Sequence, residues 1–274
     1  MLLSVPHAGR YYPDALFDTL RVPAETLVRL EDRYADRLVE DAVSLGIDAI
    51  IATYARAFID LNRRPDEIDV GMLADVERRR VATGLSRPSD KVRGGLGLFP
   101  RRLSGAGELW RGKIDWATMG DRIASVHEPY HAYLEAELKA REHVHGFALL
   151  LDIHSMPSLS GKAPAQLIIG DRHGASAPLW LVERLEEEAE LCGLRTARNA
   201  PYAGGYIIER HSNPAKRRLA IQLEIDRALY LDAAGEPIAE GCAAVGRVIA
   251  RMTLAAEMAL TERFGAPDWL QAAE

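Results

Sequence analysis

Five consecutive apolar residues, Phe147 to Leu151, leave no polar side for water. A strand with one wet face alternates in polarity, whereas a run without alternation belongs to a strand covered on both faces. This run then stops on Asp152 and His154, so a buried strand delivers polar groups at its carboxyl end. Strand-like and helix-like segments alternate around it. Residues 2–5, 49–61, 165–169 and 219–225 read as extended. Residues 24–45 are amphipathic, with Leu27, Leu30, Tyr34, Leu38 and Val39 near helical spacing and Gly46 where a helix-ending glycine belongs. Residues 114–143, 177–192 and 238–264 carry helical patterns. This order predicts one α/β domain over 1–274, a three-layer α/β/α arrangement with a predominantly parallel or mixed sheet. Residues 64–112, rich in Gly, Pro and Arg, interrupt the alternation as a long irregular insertion, and a loop of that size usually serves function.

Composition removes several classes. A net charge of −6 and a pI near 5.8 argue against a general nucleic-acid binder. The two cysteines, Cys192 and Cys242, lack any CxxC spacing, so both read as core thiols in a reducing compartment. MLLSVPHAG has no charged leader segment, and no apolar run approaches a membrane span of ~20 residues. A cytoplasmic protein without membrane or nucleic-acid partners is expected.

Three apolar strands run into groups of metal-binding or acid/base type. LLSVP leads to His7, FALLLDI to His154 with Asp152 two residues earlier, and LAIQL to Glu224. In open α/β sheets ligands bind outside the carboxyl ends of the strands. Two imidazoles with a carboxylate form a common zinc set that leaves one position open, and a further carboxylate such as Glu224 can move the proton of a water. Each histidine alone also fits a plain hydrogen-bonded role. In ARAFIDLNRRP, residues 55–65, strand alternation puts Arg56, Asp60 and Asn62 on one face. These form either a structural ion pair, or a site in which Arg56 polarises a carbonyl while Asn62 and Arg63 clamp a carboxylate. For Arg63 to join them, the strand must end or twist at Asn62.

Three other features compete. HEPYH, residues 127–131, has the HExxH form of a zinc helix, but Pro129 sits inside it, which argues against a metal site there. Residues 77–102 carry eight Lys or Arg against two acids, which suits a solvated loop or a lid that attracts a dicarboxylate. GGYIIERH, ending at His211, offers glycines for close backbone approach to a ligand, or a simple turn.

Six segments in consistent order resemble the N-formylglutamate amidohydrolase family: SVPHAG (4–9), EDRYADRL (31–38), RAFIDLNR (56–63), LLLDIHSMP (149–157), GGYI (204–207) and AIQLEIDRALYLD (220–232). That family looks like a branch of the zinc carboxypeptidase and aspartoacylase fold. The resemblance implies a zinc-dependent hydrolase, with one divalent ion per chain, that releases formate from N-formyl-L-glutamate. Carried over by residue, His7 and His154 are metal ligands, Glu224 is the general base and Arg56 stabilises the oxyanion. Asn62 and Arg63 hold the α-carboxylate, with His131, Gly205, Tyr206 and His211 as further substrate contacts. Asp152 and Asp60 stand behind a histidine and an arginine. One spacing departs from the carboxypeptidase-like pattern: three residues after His7, where those relatives carry a carboxylate ligand, stands Arg10. EDRYADRL then supplies the carboxylate, Asp32 in preference to Glu31, although acids there could also serve a helix N-terminus. A related hydrolase of another N-acyl amino acid or small peptide, or a binding protein without turnover, would share these residues.

Overall fold

The computed structural model describes residues 1–74 and 88–265. It divides into two compact units, one of Met1–Val5, Asp32–Ile51 and the chain from Tyr133 onward, the other of Pro6–Glu31 and Ala52–Ala132. The strands are β1 (Leu2–Val5), β2 (Asp48–Ile51), β3 (Arg102–Leu103), β4 (Gly107–Glu108), β5 (Ala148–Met156), β6 (Leu167–Gly170), β7 (Thr196–Arg198) and β8 (Arg218–Asp226). The α-helices are α1 (Asp14–Asp18), α2 (Glu40–Ser44), α3 (Asp90–Arg93), α4 (Trp116–Arg122), α5 (Glu128–His145), α6 (Leu179–Leu191), α7 (Tyr206–His211) and α8 (Ala239–Phe264). Among the described residues no helix is long and apolar enough to cross a membrane.

The first unit is built on a six-stranded sheet in the order β2-β1-β5-β8-β6-β7. β1, β2, β5 and β8 are parallel, while β6 runs antiparallel to β8 and parallel to β7, so the sheet is mixed. The two nine-residue central strands, β5 and β8, are buried along their whole length, as their near-continuous apolar runs require.

Period-two geometry then sorts their side chains. Leu149, Leu151 and Ile153 share one face with Leu219, Ile221, Leu223 and Ile225. The opposite face carries Asp152 and His154, paired in register with Gln222 and Glu224, and Ser4 of β1 is paired with Asp152. α7 packs on β8 and β5. On the polar face, Arg218 reaches Glu135 of α5 at 3.2 Å. α8 packs on both α2 and α6 to form the other helical layer, which completes a three-layer α/β/α fold.

The expected helix over 24–45 is broken. Residues Ala24–Leu30 and Ala35–Val39 are 3-10 turns, Glu31 is extended, Tyr34 has a left-handed φ of 59°, and only Glu40–Ser44 is α-helical. Gly46 does follow that helix with φ +88°. The expected strand over 49–61 ends at Ile51. Beyond it the chain turns, with the Phe58 N–H donating to the Ala55 carbonyl, so strand alternation does not organise Arg56 to Asn62.

The second unit has its own apolar core. Ile59, Leu61, Leu73, Leu98, Phe99 and Met119 pack in one cluster, and Leu16, Leu27, Leu30 and Leu109 in another. The stretch expected to be irregular contains α3 and the β3–β4 hairpin; residues 75–87, which include the first part of the basic segment, lie outside the described residues. In the described part, Arg93 pairs with Asp90, and Arg101 pairs with Asp69 and Glu108.

Candidate metal centre and active site

β5 and β8 set up the site by register alone. His154 stands opposite Glu224 and Asp152 opposite Gln222, four polar side chains buried on one face of adjacent strands. His154 Nε2 lies 2.9 Å from Asp152 Oδ2, and Ser4 Oγ donates to the other oxygen of Asp152 at 2.7 Å. His154 Nδ1 lies 2.9 Å from Asp32 Oδ2. Asp32 Oδ1 accepts from Ser155 Oγ at 3.1 Å and from Arg227 Nη2 at 3.0 Å, while Arg227 Nε donates to Ser155 Oγ. Asp32 thus sits in the break between two 3-10 turns, not in the first turn of a helix, and the helix-terminus alternative fails for it.

Burial opposes a charge on His154, but Asp152, Asp32 and Glu224 outweigh it and hold the imidazole well above its usual range. Three carboxylates around one buried imidazole make a place that favours a cation. Gln222 orders the last of them. Its Nε2 donates to Glu224 Oε1 at 2.8 Å, and its Oε1 accepts the Gly205 N–H at 2.8 Å. Gly170 permits that approach, because a Cβ there would lie 2.8 Å from the Ala203 carbonyl carbon.

In the second unit Asp60 is the hub. It is fully buried; its Oδ1 lies 2.7 Å from His7 Nε2 and accepts the Asn62 N–H at 2.9 Å, and its Oδ2 accepts from Arg56 Nε at 2.8 Å. Burial would raise its pKa, yet Arg56, His7 and Arg63 hold the carboxyl well below the usual range. The Arg56–Asp60 pair is real, made by a turn at i,i+4 and not by one strand face. Arg63 gives Nε to the Leu96 carbonyl at 2.9 Å and Nη1 to the Asn62 carbonyl at 2.7 Å.

One ligand atom from each of His7, Asp32 and His154 lies within 4.8 Å of the others, and all three residues are buried. A group of this kind could hold a metal ion. Glu31 is outside it, taking a hydrogen bond from the Tyr12 hydroxyl, and Arg10 is exposed. The donor set suits zinc chemically: each histidine has Nε2 on a carboxylate, Asp60 or Asp152, the arrangement that fixes a tautomer with Nδ1 as ligand nitrogen.

HEPYH forms a different structure from a zinc helix. Ile123–His127 is a π turn that runs straight on into α5, and Pro129 is the second residue after it, where a regular α-helical ladder is already interrupted. The rings of His127 and His131 lie 4.3 Å apart, and their Nε2 atoms meet the carbonyls of Arg63 at 2.9 Å and Leu61 at 3.0 Å. His131, expected as a substrate contact, is wholly buried in this support for the 61–63 backbone. His211 is also wholly buried, facing Glu135 Oε2 at 3.3 Å, and burial lowers its pKa to about 4. Gly205 and Tyr206 open α7, with the Gly205 N–H spent on Gln222.

A sequence model of N-formylglutamate amidohydrolase matches residues 1–231. The chain belongs to that family. N-formylglutamate deformylase of Pseudomonas putida is 33% identical over 238 residues, covering 85% of this chain and 82% of the relative. The deformylase of Pseudomonas aeruginosa is 29% identical over 240 residues, with the same coverage. The crystal structure of N-formylglutamate amidohydrolase from Ralstonia eutropha JMP134 superposes with a TM-score of 0.82 at 31% identity, covering 93% of this chain and 92% of that one. The N-formylglutamate amidohydrolase fold is therefore the fold of this chain. Reading the sequence alone passes over Gln222, Ser155, Arg227 and Ser4. Only Gln222 leaves a signal, since QLE at 222–224 repeats the polar-apolar-polar spacing of DIH at 152–154.

Proposed function

We propose that this chain hydrolyses the formamide of N-formyl-L-glutamate to formate and L-glutamate, with a zinc ion held by His7, Asp32 and His154. The observation that carries this reading is the buried His7–Asp32–His154 group with Glu224 in register beside His154. When bound there, zinc supplies Lewis acidity and an acidified water. The protein's own groups do the rest. Glu224, steadied by Gln222, takes a proton from the attacking water and returns one to the leaving amine nitrogen, so the C–N bond breaks as the new C–O bond persists. Arg56, aimed by its Nε bond to Asp60, meets the charge that develops on the formyl oxygen. Asn62 and Arg63 take the α-carboxylate; two donors of Arg63 are spent on carbonyls, which fixes the plane of its fork. Ser155 and Arg227 hold one oxygen of Asp32 and direct the other toward His154.

Glutamate release from N-formyl-, N-acetyl- and N-succinyl-glutamate, with and without a chelator, tests the reading. Wild type should act on the formyl compound and lose activity with the chelator. Glu224→Gln should keep its metal and drop kcat by at least ~100-fold. Near-normal turnover in that variant would remove Glu224 from the mechanism, and a wild type inert toward every N-acyl amino acid would overturn the whole reading.

A further inference from the structure

Arg122 ends α4 and opens onto the π turn Ile123–His127. His127 closes that π turn. Both meet the same loop: His127 at the Arg63 carbonyl, and Arg122 Nη1 at the Phe58 carbonyl, 3.1 Å away. The Arg122 guanidinium also lies 4.3 Å over the Phe58 ring and 5.9 Å from the Phe99 ring. Phe58 stands between Arg56 and Asp60, and Asp60 holds His7.

What Arg122 lacks is an acid. Arg56, Arg63 and Arg101, the other partly or wholly buried arginines described in this unit, each have a carboxylate partner. Among the described residues no carboxylate contacts Arg122; the acid that influences it, Asp115, is engaged at the N-terminus of α4 by the Thr118 N–H and hydroxyl. Loss of water around it lowers its pKa to about 10, still fully cationic at neutral pH. A half-buried guanidinium whose neighbours are one carbonyl and two ring faces has its charge uncompensated, and a fork of this type suits a carboxylate.

We propose that Arg122 receives the side-chain carboxylate of the substrate and makes the site selective for N-formylglutamate over neutral N-formyl amino acids. This rests on the deformylase reading above, in which Asn62 and Arg63 take the α-carboxylate and the second carboxylate has no partner. A purely structural role, a cationic clamp on Phe58 and Phe99, would instead affect every substrate equally.

The test compares N-formyl-L-glutamate with N-formyl-L-glutamine in wild type and in Arg122→Met, which keeps the apolar stem over the rings. Wild type should prefer the glutamate compound. Arg122→Met should raise its KM by about 10- to 100-fold and change kcat/KM for the glutamine compound by less than ~3-fold, so the preference collapses. Arg122→Gln, which can still donate to the Phe58 carbonyl, gives the same readout if the methionine variant fails to fold. Equal losses on both substrates, or an intact preference, would overturn the proposal. Calorimetric titration with L-glutamate and L-glutamine needs no turnover and separates this proposal from the deformylase reading. Wild type should favour L-glutamate and the variants should not; a variant that still favours it refutes the role of Arg122 even where formate release is normal.

Discussion

Glu224 receives a hydrogen bond from Gln222, and Gln222 receives one from the Gly205 backbone, so the proposed base is tied through one side chain to the start of α7. A carboxylate that must accept and return a proton gains from a fixed direction, because small displacements cost much rate. Gln222→Met, similar in size but without either bond, is expected to lower kcat by at least ~10-fold with little change in KM or metal content. Steady-state kinetics in a Glu224→Gln background completes the test: if Gln222 acts through Glu224, its loss there costs nothing further, whereas additive losses would assign it another role. His7, Asp152, His154 and Glu224 were legible in the sequence as residue types because apolar strands run into them, whereas Asp32 was named through the resemblance and Arg56, Asp60, Asn62 and Arg63 were read from a strand that ends at Ile51 instead. Their partners were less so. Ser155 and Arg227 reach Asp32 from β5 and from just beyond β8, a meeting that depends on strand register and on a broken helix which no local pattern records.

Elements depart from their sequence patterns where the polar groups have most to gain. The apolar spacing of residues 24–45 fits a helix, yet the chain breaks at Glu31 and Asp32, whose carboxylates bond to Tyr12 and to Ser155, His154 and Arg227. Those tertiary bonds outweigh propensity differences of a few tenths of a kcal/mol per residue. α7 offers two measurable consequences. A Cβ at position 170 would meet backbone atoms of Ala203 and Gly204 at 2.8–3.0 Å, so Gly170→Ala should cost about 1–3 kcal/mol and weaken the Gly205–Gln222 bond, which thermal unfolding and kcat would report together. His211 is buried neutral, its pKa lowered from 6.5 to about 4. The unfolded chain therefore takes up that proton first, so the contribution of His211 is complete above pH ~6.5 and is lost as pH falls toward 4. The difference corresponds to about 3 kcal/mol. Urea titrations at pH 7 and 4.5 should show a smaller acid loss for His211→Gln than for wild type; equal losses would mean that His211 is not held neutral.

At the scale of the whole molecule, length and alternation were enough for the α/β class, and the apolar stretches that start at Phe147 and Leu219 became the two central strands, Ala148–Met156 and Arg218–Asp226. The reversal of β6 and β7 was not legible, since a four-residue and a three-residue strand carry no direction in their composition. Nor was the division into two units, because residues 6–31 and 52–132 return to a common apolar core from separate parts of the chain. The His7–Asp32–His154 group likewise draws on three distant segments, and it is the one such group among the described residues. Metal content of the purified protein, measured by emission spectroscopy, tests that group most directly. Wild type should hold ~1 zinc per chain, and His7→Ala and His154→Ala should each lose most of it while circular dichroism shows an intact fold. Unchanged metal in both variants, or loss on His127→Ala and His131→Ala instead, would contradict the assignment.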